Sequence, residues 1–190
     1  MGLEDRRWIH RRGALFAATL RPPTGSASSR EALVRISDTF GWPRPLPDWV
    51  GLAIRLLDND GEPDLLLVSS APEPEMWCQL RPNRDVLACT FSSAVRYPLE
   101  GVEQVVGAVP VENRSATLAE LIAGSEPCPL RYRLQVAERP GSWHSLGDLE
   151  LTERVADDPK LRFHPPATGP RFLAPLRRTV YRWAQPEAAR

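Results

Sequence analysis

Six side chains are out of keeping with their surroundings. Arg35 lies in the apolar run Leu33-Val34-Arg35-Ile36, with Ser37 just after it. Arg55 lies in the run from Val50 to Leu57. A charged side chain on such a strand ordinarily faces water. His10 stands in a basic stretch with Arg6, Arg7, Arg11 and Arg12. A lone histidine is more often structural or solvated than chemical, yet imidazole is the one side chain that readily carries a proton near neutral pH. Arg177 and Tyr181 are four apart, so on a helix they are stacked neighbours. A cation at that distance eases a phenol toward its anion. The three cysteines, Cys78, Cys89 and Cys128, show no CxxC spacing. They argue against a disulfide framework and a zinc site, and for a reducing compartment.

The elements that must hold these groups are short. Gly13 to Leu20 reads as a strand. Val50 to Ser70 reads as a β-hairpin turned by Asp58-Asn59-Asp60-Gly61-Glu62-Pro63, where Gly61 can take positive φ. Val86 to Tyr97 has strand character, and Gly101 to Val111 is apolar and fits either helix or strand. Thr117-x-x-Glu120 is a capping box that predicts a helix over Leu118 to Ala123. Leu130 to Ala137 alternates apolar and polar, Arg139 to Ser142 turns it, and Trp143 to Leu151 alternates again, so a second hairpin is expected. His144 falls on its solvent face and receives no chemical role. Leu173 to Gln185 is expected to be a helix with Pro175 in its first turn.

Composition sets the bounds. A chain of 190 residues suffices for one domain with a real core, and a single domain over 1–190 is expected. Lys+Arg and Asp+Glu are both 24, which speaks against a general nucleic-acid or acidic-membrane binder. Almost all the basic residues are Arg, the better partner for bidentate carboxylates. No apolar run approaches the roughly 18 residues of a membrane span. The first residues do not read as a signal peptide, so a cytoplasmic protein is expected. The 20 prolines cut the chain into many short elements.

The order of these pieces resembles the heme catalase superfamily. Arg7-x-x-His10-x-x-Gly13 leads into a strand. Arg35-x-Ser37 lies on the next, followed by Asp48-x-x-Gly51-x-Ala53, the turn at Gly61, and Asp64-Leu65-Leu66. Near the other end Phe163-x-Pro165 precedes a loop and then Arg177-x-x-x-Tyr181. The resemblance brackets the chain and covers more than half of it, with little to match in the middle third. It implies an α+β protein: a small antiparallel β-barrel with a few helices, the C-terminal one carrying the proximal ligand. It implies heme b, with Tyr181 as the iron ligand, Arg177 favouring its phenolate, and Arg7 and Arg35 holding the propionates through forked hydrogen bonds. His10 becomes the distal acid–base group, its tautomer fixed by Ser37.

Departures shape the expected activity. The family's distal asparagine falls at Ser69, with Ser70 beside it, and a further propionate arginine falls at Ala188. A second peroxide would be poorly held, so the expectation is a peroxidase acting on hydrogen peroxide or organic hydroperoxides with an unknown reductant, and with weak or no true catalase activity. The alternatives are a non-catalytic barrel that has lost heme or binds another apolar ligand, and a heme enzyme that rearranges hydroperoxides. The catalase tetramer is not implied by so short a chain, and a homodimer is left open.

Overall fold

A computed structural model describes residues 10–23, 28–43, 46–57, 64–71, 79–93, 96–99, 102–139, 141–158 and 160–164. Nine strands and one helix follow in order: β1 Gly13–Arg21, β2 Arg30–Asp38, β3 Val50–Leu56, β4 Leu65–Ser70, β5 Thr90–Ser93, β6 Tyr97–Leu99, β7 Val102–Pro110, α1 Leu118–Ala123, β8 Leu130–Ala137 and β9 His144–Val155. The sheet order is β5-β4-β3-β2-β1-β9-β8-β7-β6, and β5 also pairs with β7. That extra pairing closes eight strands into an antiparallel barrel and leaves β6 as a short flap on β7. Closure removes the sheet edges that would otherwise invite pairing with another chain.

Period-two alternation decides which side chains go inside. From β1 the interior receives Ala14, Phe16, Ala18 and Leu20, from β2 Ala32, Val34 and Ile36, and from β3 Val50, Leu52 and Ile54. Leu67, Phe91, Val106, Ala108, Leu134, Leu149 and Leu151 complete the core from the other strands. Small and large residues alternate, as a narrow barrel requires. Leu118 and Leu121 of α1 join the same core. The helix is closed by the expected capping box of Thr117 and Glu120 and by Gly124 at φ 74. β1 and β9 slip register between Ala17 and Ala18, and β8 and β9 between Leu134 and Gln135. Gly147, at φ 149, sits across from that second irregularity, where any Cβ would run into the Arg21 carbonyl oxygen.

Both expected hairpins are present, and the ambiguous stretch 101–111 is resolved as β7, with Val105, Val106 and Ala108 buried. The small antiparallel barrel is therefore observed. The expected C-terminal helix over 173–185 lies outside the described residues, as do the turn 58–63 and most of the expected helical turn at 76–80. Leu80 itself forms a bridge with Ser70. No helix among the described residues is long and apolar enough to cross a membrane.

Candidate functional site

Of the polar residues singled out from the sequence, His10, Arg35, Ser37 and Arg55 lie on the outer face of β1–β4, opposite the core. Their register forms three rows. Gly13, Ser37, Gly51 and Val68 make the first, and Leu15, Arg35, Ala53 and Leu66 the second. The third holds Ala17, Leu33 and Arg55, with Asp64 just beyond β4 against Arg55.

His10 lies over the first row. Its Nδ1 and the Oγ of Ser37 share a hydrogen bond of 3.0 Å. In a neutral ring protonated at Nε2 the hydroxyl donates; in a ring protonated at Nδ1, neutral or imidazolium, the ring donates. The ring fills the space that Gly51 leaves: a Cβ there would stand 2.8 Å from Cε1 and 3.0 Å from Nδ1. His10 also has φ 54, a left-handed backbone rarely adopted by a non-glycine residue. Two bonds hold it there. Its N–H donates to the Thr39 carbonyl at 2.9 Å, and its own carbonyl accepts from Arg35 Nη1 at 3.0 Å. Backbone, ring nitrogen and ring face are thus all fixed.

Arg35 lies beneath and is only 4% exposed. Its Nε donates to Asp157 Oδ1 at 2.9 Å and its Nη2 to Asp157 Oδ2 at 2.8 Å. The missing Cβ of Gly13 makes room for the guanidinium, since a Cβ would stand 2.6 Å from its Cζ. The fork expected to hold a propionate is therefore occupied by a carboxylate of the chain itself. Asp157 lies 122 residues away. It sits just past β9, and no local pattern around it marks it as a partner. Beside this pair, Arg12 donates to Asp38 Oδ2 through Nε at 2.9 Å.

Ser69 faces the other way. Its neighbour Val68 pairs with Gly51, so alternation turns Ser69 inward, opposite Phe91. Its hydroxyl accepts from Val50 N–H at 3.0 Å and donates to the Arg81 carbonyl at 2.7 Å. It is separated from His10 and Ser37 by the thickness of the sheet. Ser70 lies on the His10 face instead, with its Oγ buried and unpartnered.

At the far end of the same face, Arg55 forks onto Asp64, with Nε to Oδ1 at 2.9 Å and Nη2 to Oδ2 at 2.7 Å. The hydrogen bond to Asp64 holds the Arg55 guanidinium above its usual pKa, against the opposing effect of partial burial. Asp64 N–H donates to the His164 carbonyl at 2.8 Å, His164 N–H returns to Asp64 Oδ2, and the Arg55 guanidinium lies 5.1 Å from the Phe163 ring centroid. The Phe163-His164 segment is thereby tied to the outside of β3 and β4. Between this tether and His10 lie Leu33, Ala53, Leu66 and Val68, all partly buried.

Arg7, Arg177 and Tyr181 lie outside the described residues. Among the described residues no group of three or more His, Cys, Asp or Glu side chains could hold a metal ion. No family model matches the chain, and no curated protein does either. The catalase resemblance accordingly rests on the residues quoted for it.

Proposed function

We propose that the chain is a catalase-like heme protein that reduces hydrogen peroxide or an organic hydroperoxide at the expense of a second substrate. The observation carrying this reading is His10, an imidazole locked over Gly51 by Ser37, by Thr39 and by the buried Arg35. A general acid–base group gains most from being held in place before its substrate arrives. The apolar strip Leu33-Ala53-Leu66-Val68 beside it suits the flat face of a porphyrin.

Bound heme supplies the iron at which a peroxide O–O bond is cleaved. The chain's own part is proton handling. His10, with Nδ1–H donating to Ser37 Oγ throughout, would keep Nε2 free to accept a proton from a peroxide and return it to the departing oxygen, Ser37 fixing that tautomer. Ser69, turned into the barrel, offers nothing to a second peroxide, in keeping with peroxidase rather than disproportionating turnover. Arg35, already paired with Asp157, does not suit a propionate. Holding the propionates would fall to Arg7, and Tyr181, its phenolate favoured by Arg177, would be the iron ligand that the resemblance implies.

The Arg35–Asp157 pair favours one other reading, a barrel of this shape that binds no heme. The absorption spectrum of the full chain after mixing with hemin separates the two. A Soret band with high-spin ferric features, lost in Tyr181→Phe, is expected. Peroxide-dependent oxidation of an electron donor should fall at least about a hundredfold in His10→Gln. A protein that stays colourless with hemin in excess sinks the heme reading. A Soret band with turnover unaffected by His10→Gln sinks the role of His10.

A further inference from the structure

The loop joining β2 to β3 presents an aromatic surface that the proposed chemistry does not use. Phe40 is 53% exposed, Trp42 42% and Leu46 55%. The rings are ordered against one another. Phe40 stacks on Trp42 with centroids 5.4 Å apart, and Trp49 meets both edge-on at 6.0 and 5.8 Å. A buried carboxylate sets the loop beneath them. Asp48 Oδ2 accepts from the N–H groups of Phe40 at 3.0 Å and Gly41 at 2.7 Å, and Oδ1 accepts from Trp49 N–H at 2.7 Å. Thr39 adds an Oγ1 bond to the Trp49 carbonyl at 2.9 Å. Among the described residues no element covers these rings.

Among the described residues of the loop and its flanks, charge is sorted by sign. Its acids are withdrawn, Asp38 being buried and paired with Arg12, and Asp48 being buried under the rings. Its surroundings are basic. Arg11 is exposed one residue from His10, whose N–H bonds Thr39. Arg84 is exposed one residue from Asn83, which exchanges backbone bonds with Asp48 at 3.1 and 2.7 Å. Amphipathic rings beside arginine, with Asp38 and Asp48 buried, suit the headgroup layer of an anionic bilayer, where tryptophan prefers to sit and guanidinium meets phosphate.

We propose that this loop docks the protein on anionic membranes: Phe40, Trp42 and Leu46 enter the interfacial layer while Arg11 and Arg84 contact lipid phosphates. The protein stays peripheral, and the barrel keeps its apolar residues inside.

Co-sedimentation of the full chain with two kinds of vesicle tests this, one of phosphatidylcholine alone and one with phosphatidylglycerol added. Binding is expected only to the second, and should weaken as salt rises. The double variant Phe40→Ser/Trp42→Ser should bind at least about tenfold more weakly. Arg11→Gln/Arg84→Gln should bind several-fold more weakly at low salt. Leu46→Ser serves as a milder probe should the double variant fail to fold, and its binding should drop about threefold or more. Brominated lipid should quench tryptophan emission in the parent. The proposal is overturned if neither vesicle is bound, or if Leu46→Ser and a folded aromatic variant bind as the parent does. It is equally overturned if the patch mediates a concentration-dependent dimer with no vesicle binding. Heme binding does not enter the assay, so the two proposals stand or fall separately.

Discussion

Two glycines on the outside of the barrel each make room for a ring, and the two settings differ. Gly51 on β3 lies under the His10 imidazole, and Gly107 on β7 lies under the Trp143 indole, where a Cβ would stand 2.9 Å from Cζ3. Around Gly51 the surroundings are polar and largely enclosed: Ser37 and Arg35 are buried, and Asp157, on Arg35, is partly buried. Around β8 and β9 the charges are solvated, as Arg133 with Asp148 and Arg131 with Glu150. The same backbone device seats a titratable ring in one half and a packing ring in the other. Burying an ion pair is expensive and stabilises little against an apolar alternative. Finding one beneath His10 marks that half as the place where position of a side chain counts for more than stability.

The largest break in this contrast comes from removing the carboxylate that faces the buried Arg35. Asp157→Ala leaves the Arg35 guanidinium without its carboxylate and should cost about 3 kcal/mol. Arg133→Ala, which breaks an exposed pair, should change stability by no more than about 0.5 kcal/mol. Urea unfolding of both variants provides the comparison, and similar midpoints would show that the Arg35–Asp157 pair is not special.

The glycine substitutions come next. Gly51→Ala must expel the imidazole, because its Cβ would meet Cε1, Nδ1 and, at 3.3 Å, Ser37 Oγ. A cost of about 1–3 kcal/mol is expected, with His10 ring resonances displaced in the NMR spectrum. Gly107→Ala meets the edge of a partly exposed indole that can tilt away, so its cost should stay below about 1 kcal/mol. If His10 resonances are unmoved in Gly51→Ala, the ring is not held as described.

What the sequence disclosed follows from how local each feature is. Alternation over Leu130–Ala137 and from Trp143 to Leu151 marks a half-buried hairpin, and Thr117 with Glu120 marks a helix start, because both signals sit within a few residues. Arg35 was conspicuous on its apolar strand, but its partner Asp157 was not, since only the long-range pairing of β1 with β9 brings the end of β9 into reach. Ser69 against Ser70 turned on a single residue of register. A strand exchanges faces at every step, and counting along the chain gives no warning of which face a given hydroxyl takes. The stretch 101–111 stayed ambiguous because both its faces carry apolar residues, and only its pairing with β5 and β8 settles it as a strand.

A smaller effect, set by pH, lies away from His10. Asp85 Oδ1 accepts N–H bonds from Leu87 and Ala88 at 3.0 Å and from Ala116 at 3.1 Å. Burial, the largest single influence, raises its pKa. Hydrogen bonds from Ser115, Ala116, Ala88 and Leu87 together outweigh it, and the carboxyl ends below its ordinary value. A lowered carboxyl stabilises the fold above the unfolded-state pKa near 4, and that contribution disappears as pH falls through the lower folded value. Asp85→Asn should therefore cost about 1–2 kcal/mol at neutral pH. Parent and variant should converge in acid, and a difference that persists undiminished at the acid end would mean that the charge is not what caps this turn.

The smallest effect is chemical rather than energetic. Cys89 is buried, donates Sγ–H to the Asp85 carbonyl at 2.8 Å, and has its pKa pushed up to about 12, by burial first and by the Asp85 charge second. Only a thiolate attacks an alkylating reagent, so the folded protein should leave Cys89 unlabelled by iodoacetamide at neutral pH, while the urea-unfolded chain should be labelled there. The raised pKa also fixes the direction of a pH effect. Stability from the neutral thiol is complete below the unfolded value near 8.5 and falls away as pH climbs toward 12. Mass spectrometry of native protein after brief labelling checks the first point. Rapid modification of Cys89 would mean that the strands around Phe91 and Tyr132 open readily, and that the half of the barrel cast here as the quiet one is the more mobile of the two.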